Sequence, residues 1–194
     1  MQLQFYGAAG EVTGSCHILT VRGRTLLLDC GLIQGGERPD VRNRQPFPFD
    51  AAAIDAVVLS HAHIDHCGRL PLLRKRGFRG PIYATPACRD LARILLADSA
   101  FMAEREADRY RRRQAEHGNR HARGFPDPLF TRVDADETIQ QFKPVGYGRA
   151  TEVLPGVTLT FRDAGHILGS ASAWLQLEEE GARAVERLVG MFAF

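Results

Sequence analysis

Apolar residues recur along the chain in two periods. Short runs at 3–7 (LQFYG), 15–21 (SCHILTV), 25–31 (TLLLDCG) and 54–60 (IDAVVLS) predict strands. Between the first two lies AAGEVTG, a glycine-punctuated loop, and Arg22-Gly23-Arg24 is a hairpin turn signal. LLLD is an unbroken leucine run closed by an acid, the pattern of a buried strand that delivers a polar side chain to a sheet edge. Residues 32–53 carry Gly35-Gly36 and three prolines and are expected to be loop.

Beyond residue 66 the period lengthens. RLPLLRKRG predicts a helix closed by Gly77, and PIYAT a further strand. From Pro86 to about Gln114, Leu91, Ile94, Leu95 and Met102 fall at helical spacing, the mark of an apolar helix face. The arginine-rich stretch 104–123 intersperses acids and reads as a solvated helix and loop, with a phosphate-contacting surface as the sharper alternative. DADETIQQF predicts a short helix with Asp134 or Asp136 near its start. Strands follow around KPVGYG, ATEVL, VTLTFRDAG and ASAWLQLE, and the alternation argues an α/β or α+β fold.

With 194 residues the chain suits a single domain, 1–194, and its net charge of +2 neither demands nor excludes a polyanionic partner. The four cysteines, Cys16, Cys30, Cys67 and Cys88, are scattered singly and read as reduced, buried small side chains. The N-terminal sequence lacks the basic-then-apolar pattern of a signal peptide, and no apolar stretch approaches the ~20 residues needed to span a bilayer. A cytoplasmic protein without membrane association is therefore expected.

The chemistry concentrates in His61, His63, Asp65 and His66, directly after the apolar strand. Residues two apart do not share a helix face, but a loop at a strand end can curl them around an ion, and imidazole and carboxylate suit zinc and related divalent metals. The first histidine pair can serve one ion and the Asp65–His66 pair a second. His166, in the glycine-bracketed loop DAGHILGS past another strand, offers a distant third histidine for the first ion. Asp29, ending the leucine run, either caps a turn or orients a metal-bound histidine from behind. Isolated His17, His117 and His121 are assigned local packing or hydrogen-bonding roles.

On these residues the sequence resembles the metallo-β-lactamase superfamily, and within it the β-CASP branch of RNA-processing nucleases. GAAGEVTGSCHIL, LLLDCGL, LSHAHIDHCGRLP and DAGHILGSA carry the resemblance, in order, over nearly all of residues 5–175. It implies an αββα sandwich with two Zn2+ ions at one sheet edge. Asp29 matches the family's first motif, His61, His63, Asp65 and His66 the second, and His166 the third. It further implies RNA as the partner, hydrolysis of a phosphodiester, and Asp65 as the catalytic residue that holds a metal and orients or deprotonates the attacking water.

The chain departs from the family where the fourth motif is expected, since no aspartate occurs after Asp163. Glu178, Glu179, Glu180 and Glu186 fit a strand end and a solvated turn better than that role. The inserted β-CASP domain and the C-terminal half of the sandwich are also absent from the 194 residues. An incomplete reading or fragment is therefore expected, with one well-supported zinc site. Apolar strand faces left uncovered should favour self-association into a homo-oligomer. Three functions stay open: a zinc-dependent RNA nuclease, a non-catalytic metal-binding fragment or binding module, and a metallohydrolase of small esters or thioesters.

Overall fold

The computed structural model describes residues 1–117, 124–179 and 182–190. His121, Glu180 and the side chains of His117, Glu179 and Glu186 lie outside the described residues. Two sheets and one layer of helices make up the fold. Sheet A runs β1 (Gln2–Gly7), β2 (Cys16–Val21), β3 (Arg24–Leu28), β4 (Ala56–Val58), β5 (Ile82–Ala84) and β6 (Phe142–Pro144), in sequence order across the sheet. β1 to β3 are antiparallel, and β3 to β6 are parallel. Sheet B is an antiparallel set of β7 (Thr151–Leu154), β8 (Val157–Asp163), β9 (Ala171–Glu179) and β10 (Ala182–Gly190).

The unbroken apolar runs of β2 to β4 are explained by burial on both faces. Ile18, Leu27 and Val57 point into a core shared with the helices, while Leu19, Leu26, Leu28, Ala56 and Val58 point into a second core against sheet B. Sheet B answers with Val157, Leu159, Phe161, Ala173, Leu175 and Leu177, alternate residues of β8 and β9. Its other face presents Thr158, Thr160, Ser172, Gln176 and Glu178, with Trp174 half-buried beneath the Arg162 guanidinium, 4.2 Å from the ring centroid. The expected exposure of apolar strand faces is therefore not found on β8 and β9. Among the described residues no helix covers that polar face, so the layers present are αββ.

Several elements differ from the sequence reading. Within 32–53 the chain forms α1 (Pro39–Arg44) and a 3-10 turn at Ala51–Ala53. Proline stands in the first turn of α1, where its missing N–H costs nothing, and Asn43 exchanges two hydrogen bonds with the Ile33 backbone (2.8 and 2.9 Å). The strand predicted over 54–60 shortens to β4 because the chain beyond it turns to build the histidine loop. α2 (Ile64–Cys67) and α3 (Leu70–Lys75) follow. α5 (Arg132–Ile139) begins two residues before the predicted Asp134: Thr131 is its cap, and Asp134 closes a capping box onto the Thr131 N–H at 2.8 Å.

The longest helix, α4 (Pro86–His117), keeps only Leu91 of the predicted apolar face against the core. Its fully buried stripe is Cys88, Ala92, Leu96, Ala100 and Ala107, mostly four apart and, but for Leu96, small. Ile94, Leu95 and Met102 face outward, and the Arg105 guanidinium lies over exposed Phe101. Size, not hydrophobicity alone, selects the buried side of this helix. All four cysteines are free and buried, as expected. Among the described residues no helix is long and apolar enough to cross a membrane.

Candidate metal centre

β4 is the central parallel strand, buried on both faces, and the chain leaving its C-terminal end carries Leu59, Ser60 and His61 with almost no exposure. His61, Ala62 and His63 stay out of helix, so alternate side chains turn the same way. A single helical turn, α2, then brings round Asp65 and His66. The Cys67 thiol donates to the Ala62 carbonyl (3.2 Å) and closes this loop on itself. Burial pushes the Cys30 and Cys67 thiols well above their ordinary range, which keeps both protonated and apolar in character.

The distant loop after β8 meets this one. His61 Nε2 and His166 Nε2 each lie 3.1 Å from His63 Nδ1, the latter pair 103 residues apart in sequence. Nitrogen atoms of the three rings all fall within 4.8 Å of one another. Ring nitrogens of three histidines brought this close form a donor set suited to a cation. His61 is buried, His63 half-buried and His166 exposed, so the cluster opens outward on the His166 side. Asp65 and His66 stand beside it as a pair, with Asp65 Oδ2 3.8 Å from His66 Nε2, and the His61 and His66 rings are 4.0 Å apart by centroid.

Asp29 organises both groups from below. Its carboxylate is 1% exposed and its backbone is left-handed (φ 56°), which carries the chain abruptly off the end of β3. Oδ1 accepts the Ser60 N–H (2.8 Å), and Oδ2 accepts both the Ser60 hydroxyl (2.8 Å) and His66 Nδ1–H (2.8 Å). Because Ser60 gives its proton to Asp29, its oxygen is left to accept from His61 Nδ1 at 3.0 Å. The consequence is a defined tautomer for each ring: His61 and His66 carry protons on Nδ1 and turn unprotonated Nε2 toward the site.

Electrostatics agree with these roles at His61 and His63 and oppose them at His66. Burial, with the neighbouring His66 next, lowers the pKa of His61 to about 3. Burial likewise lowers that of His63, helped by His166. At His66 burial acts in the same direction, but the hydrogen bond to Asp29 and its charge outweigh it and hold the ring above its ordinary value. His61 and His63 are therefore neutral ligands at pH 7 even without an ion.

Two close approaches fix the loops. A Cβ at Gly31 would sit 1.5 Å from the Asp65 carbonyl oxygen, so only glycine lets the strand β3 exit pass under α2. A Cβ at Gly169 would sit 2.4 Å from the Cys88 nitrogen, at the first turn of α4. There the Thr85 hydroxyl donates to the Gly169 carbonyl (2.6 Å) and the Tyr147 hydroxyl to the Ser170 carbonyl (2.8 Å). The Ser170 hydroxyl in turn accepts the His166 N–H (3.1 Å), and Ala171 N–H reaches the Ser60 carbonyl (2.9 Å).

All five residues expected to bind metal are thus at one sheet edge, with His61, His63 and His166 in one cluster and Asp65 and His66 in the adjoining pair. Asp29 lies behind them, as its position at a strand end suggested. Ser60, Thr85, Tyr147 and Ser170 were not anticipated. For Ser60 a signal existed, a hydroxyl closing an otherwise apolar strand immediately before the first histidine. His17 packs edge-on against Phe5 (5.1 Å) and lies 3.4 Å from the Ser15 hydroxyl, a local role as expected. β10, whose sequence ARAVERLVG holds no aspartate, pairs with β9 where the fourth motif was sought.

Residues 24–141, more than half of the chain, match the family model described as the β-lactamase superfamily domain. The chain belongs to the metallo-β-lactamase superfamily. Its sequence relatives include proteins of the β-CASP family, the branch that its motifs resemble. It is 40% identical over 171 residues to ribonuclease TTHA0252 of Thermus thermophilus, covering 88% of this chain and 34% of that protein. It is 31% identical over 179 residues to the transcription termination factor FttA of Methanocaldococcus jannaschii, covering 92% of this chain and 25% of that one. The chain therefore spans about a third or a quarter of the length of these relatives. Among solved structures, a B3 metallo-β-lactamase with an active-site glutamic acid superposes with TM-score 0.53 at 15% identity, covering 97% of this chain and 61% of that one. MEM-A1, a subclass B3 metallo-β-lactamase from a soil metagenome library, gives 0.51 at 16% identity, covering 94% and 60%. These likenesses show the fold.

Proposed function

We propose that this chain is the metal-binding portion of a zinc-dependent ribonuclease that hydrolyses RNA phosphodiesters. The convergence of His61, His63 and His166 carries this reading, and the ribonuclease relative points to the substrate class. The donor set fits the ion. Tetrahedral zinc with bonds of about 2.0–2.1 Å to nitrogen sets its ligands roughly 3.3–3.4 Å apart, and the two closest nitrogen pairs here stand at 3.1 Å. Asp65 and His66 supply an acid and an imidazole to a second ion alongside.

When bound, zinc polarises a scissile phosphate and lowers the pKa of water toward neutrality. The chain's own groups do the rest. His61 and His63 stay unprotonated through burial and so remain available as donors. Asp29 and Ser60 hold the Nε2 atoms of His61 and His66 toward the site. Asp65, half-exposed beside His66, orients the attacking water and takes its proton. The exposed His166 side leaves room for a polymer to enter.

A second reading is a metal-binding module without hydrolysis, favoured by β10, which pairs with β9 where the fourth motif is expected and whose sequence ARAVERLVG holds no aspartate. Metal content by mass spectrometry and cleavage of a labelled single-stranded RNA separate the two, with His63→Ala as control. Bound zinc and cleavage that disappears in the variant support the nuclease. Zinc binding without cleavage supports the module, and cleavage unaffected by His63→Ala refutes the metal mechanism.

A further inference from the structure

The sheet edge that carries the metal centre continues past it. His166, which belongs to the histidine cluster, also lines a cavity of about 570 Å³. The cavity runs on to Thr85 and to Gly146 and Tyr147, just past the C-terminal ends of the parallel β5 and β6. Its size is that of a small-molecule site, and sheets of this kind ordinarily bind ligands at those strand ends. An occupant of this cavity lies directly beside the proposed ion.

The lining restricts what that occupant can be. Pro86, Ala87, Ile167 and the exposed Leu168 make it largely apolar. Among the described residues that line it there is no lysine or arginine, and the one carboxylate is Asp163. Arg162, the neighbouring cation on β8, lies over the Trp174 ring on the outer face of sheet B. A phosphate is therefore disfavoured here, and a flat uncharged group is favoured. Tyr147 supplies a platform for it. Tyr147 is 45% exposed although its hydroxyl is committed to the Ser170 carbonyl, so the surface it offers is the ring. The Gly148 N–H donates to the Phe161 carbonyl (2.8 Å) and pins this turn to β8, two residues from Asp163. The Ser170 carbonyl that takes the Tyr147 hydroxyl also takes the Ala164 N–H (3.3 Å), which sets Asp163 next to the ring. Burial, and next the Asp163 charge, raise the pKa of Tyr147, in keeping with that proximity. Asp163 Oδ1 accepts the Gly165 N–H (2.8 Å), which fixes the carboxylate and leaves Oδ2 to accept from a ligand. Stacking on an aromatic ring is open to every base, but guanine alone presents two donor nitrogens, N1–H and N2–H, side by side to a carboxylate.

We propose that this cavity is a base subsite of the hydrolytic site and that it selects guanine in a nucleotide flanking the scissile phosphate. The base stacks on Tyr147 and donates N1–H and N2–H to Asp163. The placement beside a cut rests on the ribonuclease reading, whereas the base preference requires neither metal nor turnover.

Ligand-observed NMR titration of the chelator-treated chain with GMP, IMP and AMP tests that preference, the phosphate being common to all three. GMP should bind most tightly. IMP, which lacks the 2-amino donor, should bind roughly fivefold more weakly, and AMP at least about tenfold more weakly. Tyr147→Leu should weaken all three alike. Asp163→Asn keeps an acceptor for the Gly165 N–H but turns an amide N–H to the base, and should bring AMP level with GMP or above it, a reversal that loss of loop order does not produce. Sequencing the ends cut from a randomised single-stranded RNA by the zinc-loaded chain should show guanine enriched at one position flanking the cut. GMP bound no more tightly than IMP and AMP, or a GMP preference unchanged in Asp163→Asn, overturns the proposal. Cutting without guanine enrichment also overturns it and leaves the nuclease reading standing. Guanine selection by the metal-free chain with no cutting by the loaded one supports the base preference and counts against the nuclease instead.

Discussion

Replacing Asp29 by Asn keeps the shape of the side chain and removes its charge and half of its accepting capacity. Four donors converge on the native carboxylate: the Ser60 N–H on Oδ1, then the Ser60 hydroxyl, His66 Nδ1–H and, at 3.4 Å, the Ser15 hydroxyl on Oδ2. With the amide oxygen at the Oδ1 position, the new NH2 faces Ser60 and His66. Ser60 must then accept it and turn its own proton onto His61 Nδ1. His66 must move its proton to Nε2 or leave two donors opposed. Both rings would present N–H, rather than a lone pair, to the metal. With the amide flipped, the NH2 confronts the Ser60 N–H inside the core.

Either orientation forfeits a charge-assisted hydrogen bond of about 1.5–3 kcal/mol, and a donor left stranded where the rings do not switch tautomer, or where the amide is flipped, adds about 1–3 kcal/mol. Asp29 is 1% exposed, so water does not repair the loss. Asp29→Asn should therefore destabilise the metal-free chain by about 2–4 kcal/mol, read by denaturant unfolding. At the proposed zinc site affinity should fall about 10–100-fold, read by competition with a chromophoric chelator. A variant that loses stability but binds zinc within about threefold of the parent would refute the tautomer argument and leave Asp29 a packing residue.

Tyr147→Phe should lower zinc affinity several-fold with about 1 kcal/mol of stability lost, because the hydroxyl that ties the Ser170 carbonyl beside His166 is removed; an unchanged affinity by the same chelator competition would count against the latch. Phe161→Ala, at a fully buried position between the two sheets, should cost about 3–5 kcal/mol in denaturant unfolding, and a loss under about 1 kcal/mol would contradict the packing described. Acid sensitivity of the metal-free chain follows from His61, whose pKa is lowered to about 3 by burial. The unfolded chain takes up that proton first, so this contribution is present above about pH 6.5 and fades as pH falls, at up to about 1.4 kcal/mol per pH unit. His66, raised by Asp29, works in the opposite sense, and His61→Asn isolates the first effect. Stability plotted against pH should flatten between pH 6 and 4 in that variant, and parallel curves would sink the assignment.

Much of this site was legible because its ligands are dense in sequence. His61, His63, Asp65 and His66 occupy six positions after an apolar strand, and no packing role explains such a cluster. His166 was legible for a different reason, the glycines on both sides of it, of which Gly169 proves sterically necessary. The long helix was found, but of its predicted face only Leu91 packs on the core. A periodicity argument weights Ile94, Leu95 and Met102 by hydrophobicity, whereas close approach to a sheet selects Ala92, Ala100 and Ala107 for their size. The residues that orient the ligands were mostly invisible. Serine, threonine and tyrosine hydroxyls acquire meaning only from the partner that faces them: Ser170 finds its partner within its own loop, while Thr85 and Tyr147 find theirs 84 and 23 residues away, distances that no spacing encodes.

The same distinction explains why Asp29 matters more than its distance from the open face suggests. Its carboxylate reaches the first histidine group through Ser60 and the second directly through His66. One buried charge therefore sets the proton positions on rings belonging to both proposed ions. Loss of a single ligand should weaken the ion it holds. Loss of Asp29 should weaken both together, and the two kinds of variant are distinguishable by counting bound zinc against free zinc concentration. Parallel weakening in Asp29→Asn, against selective weakening in His166→Ala, is the outcome that a shared anchor requires.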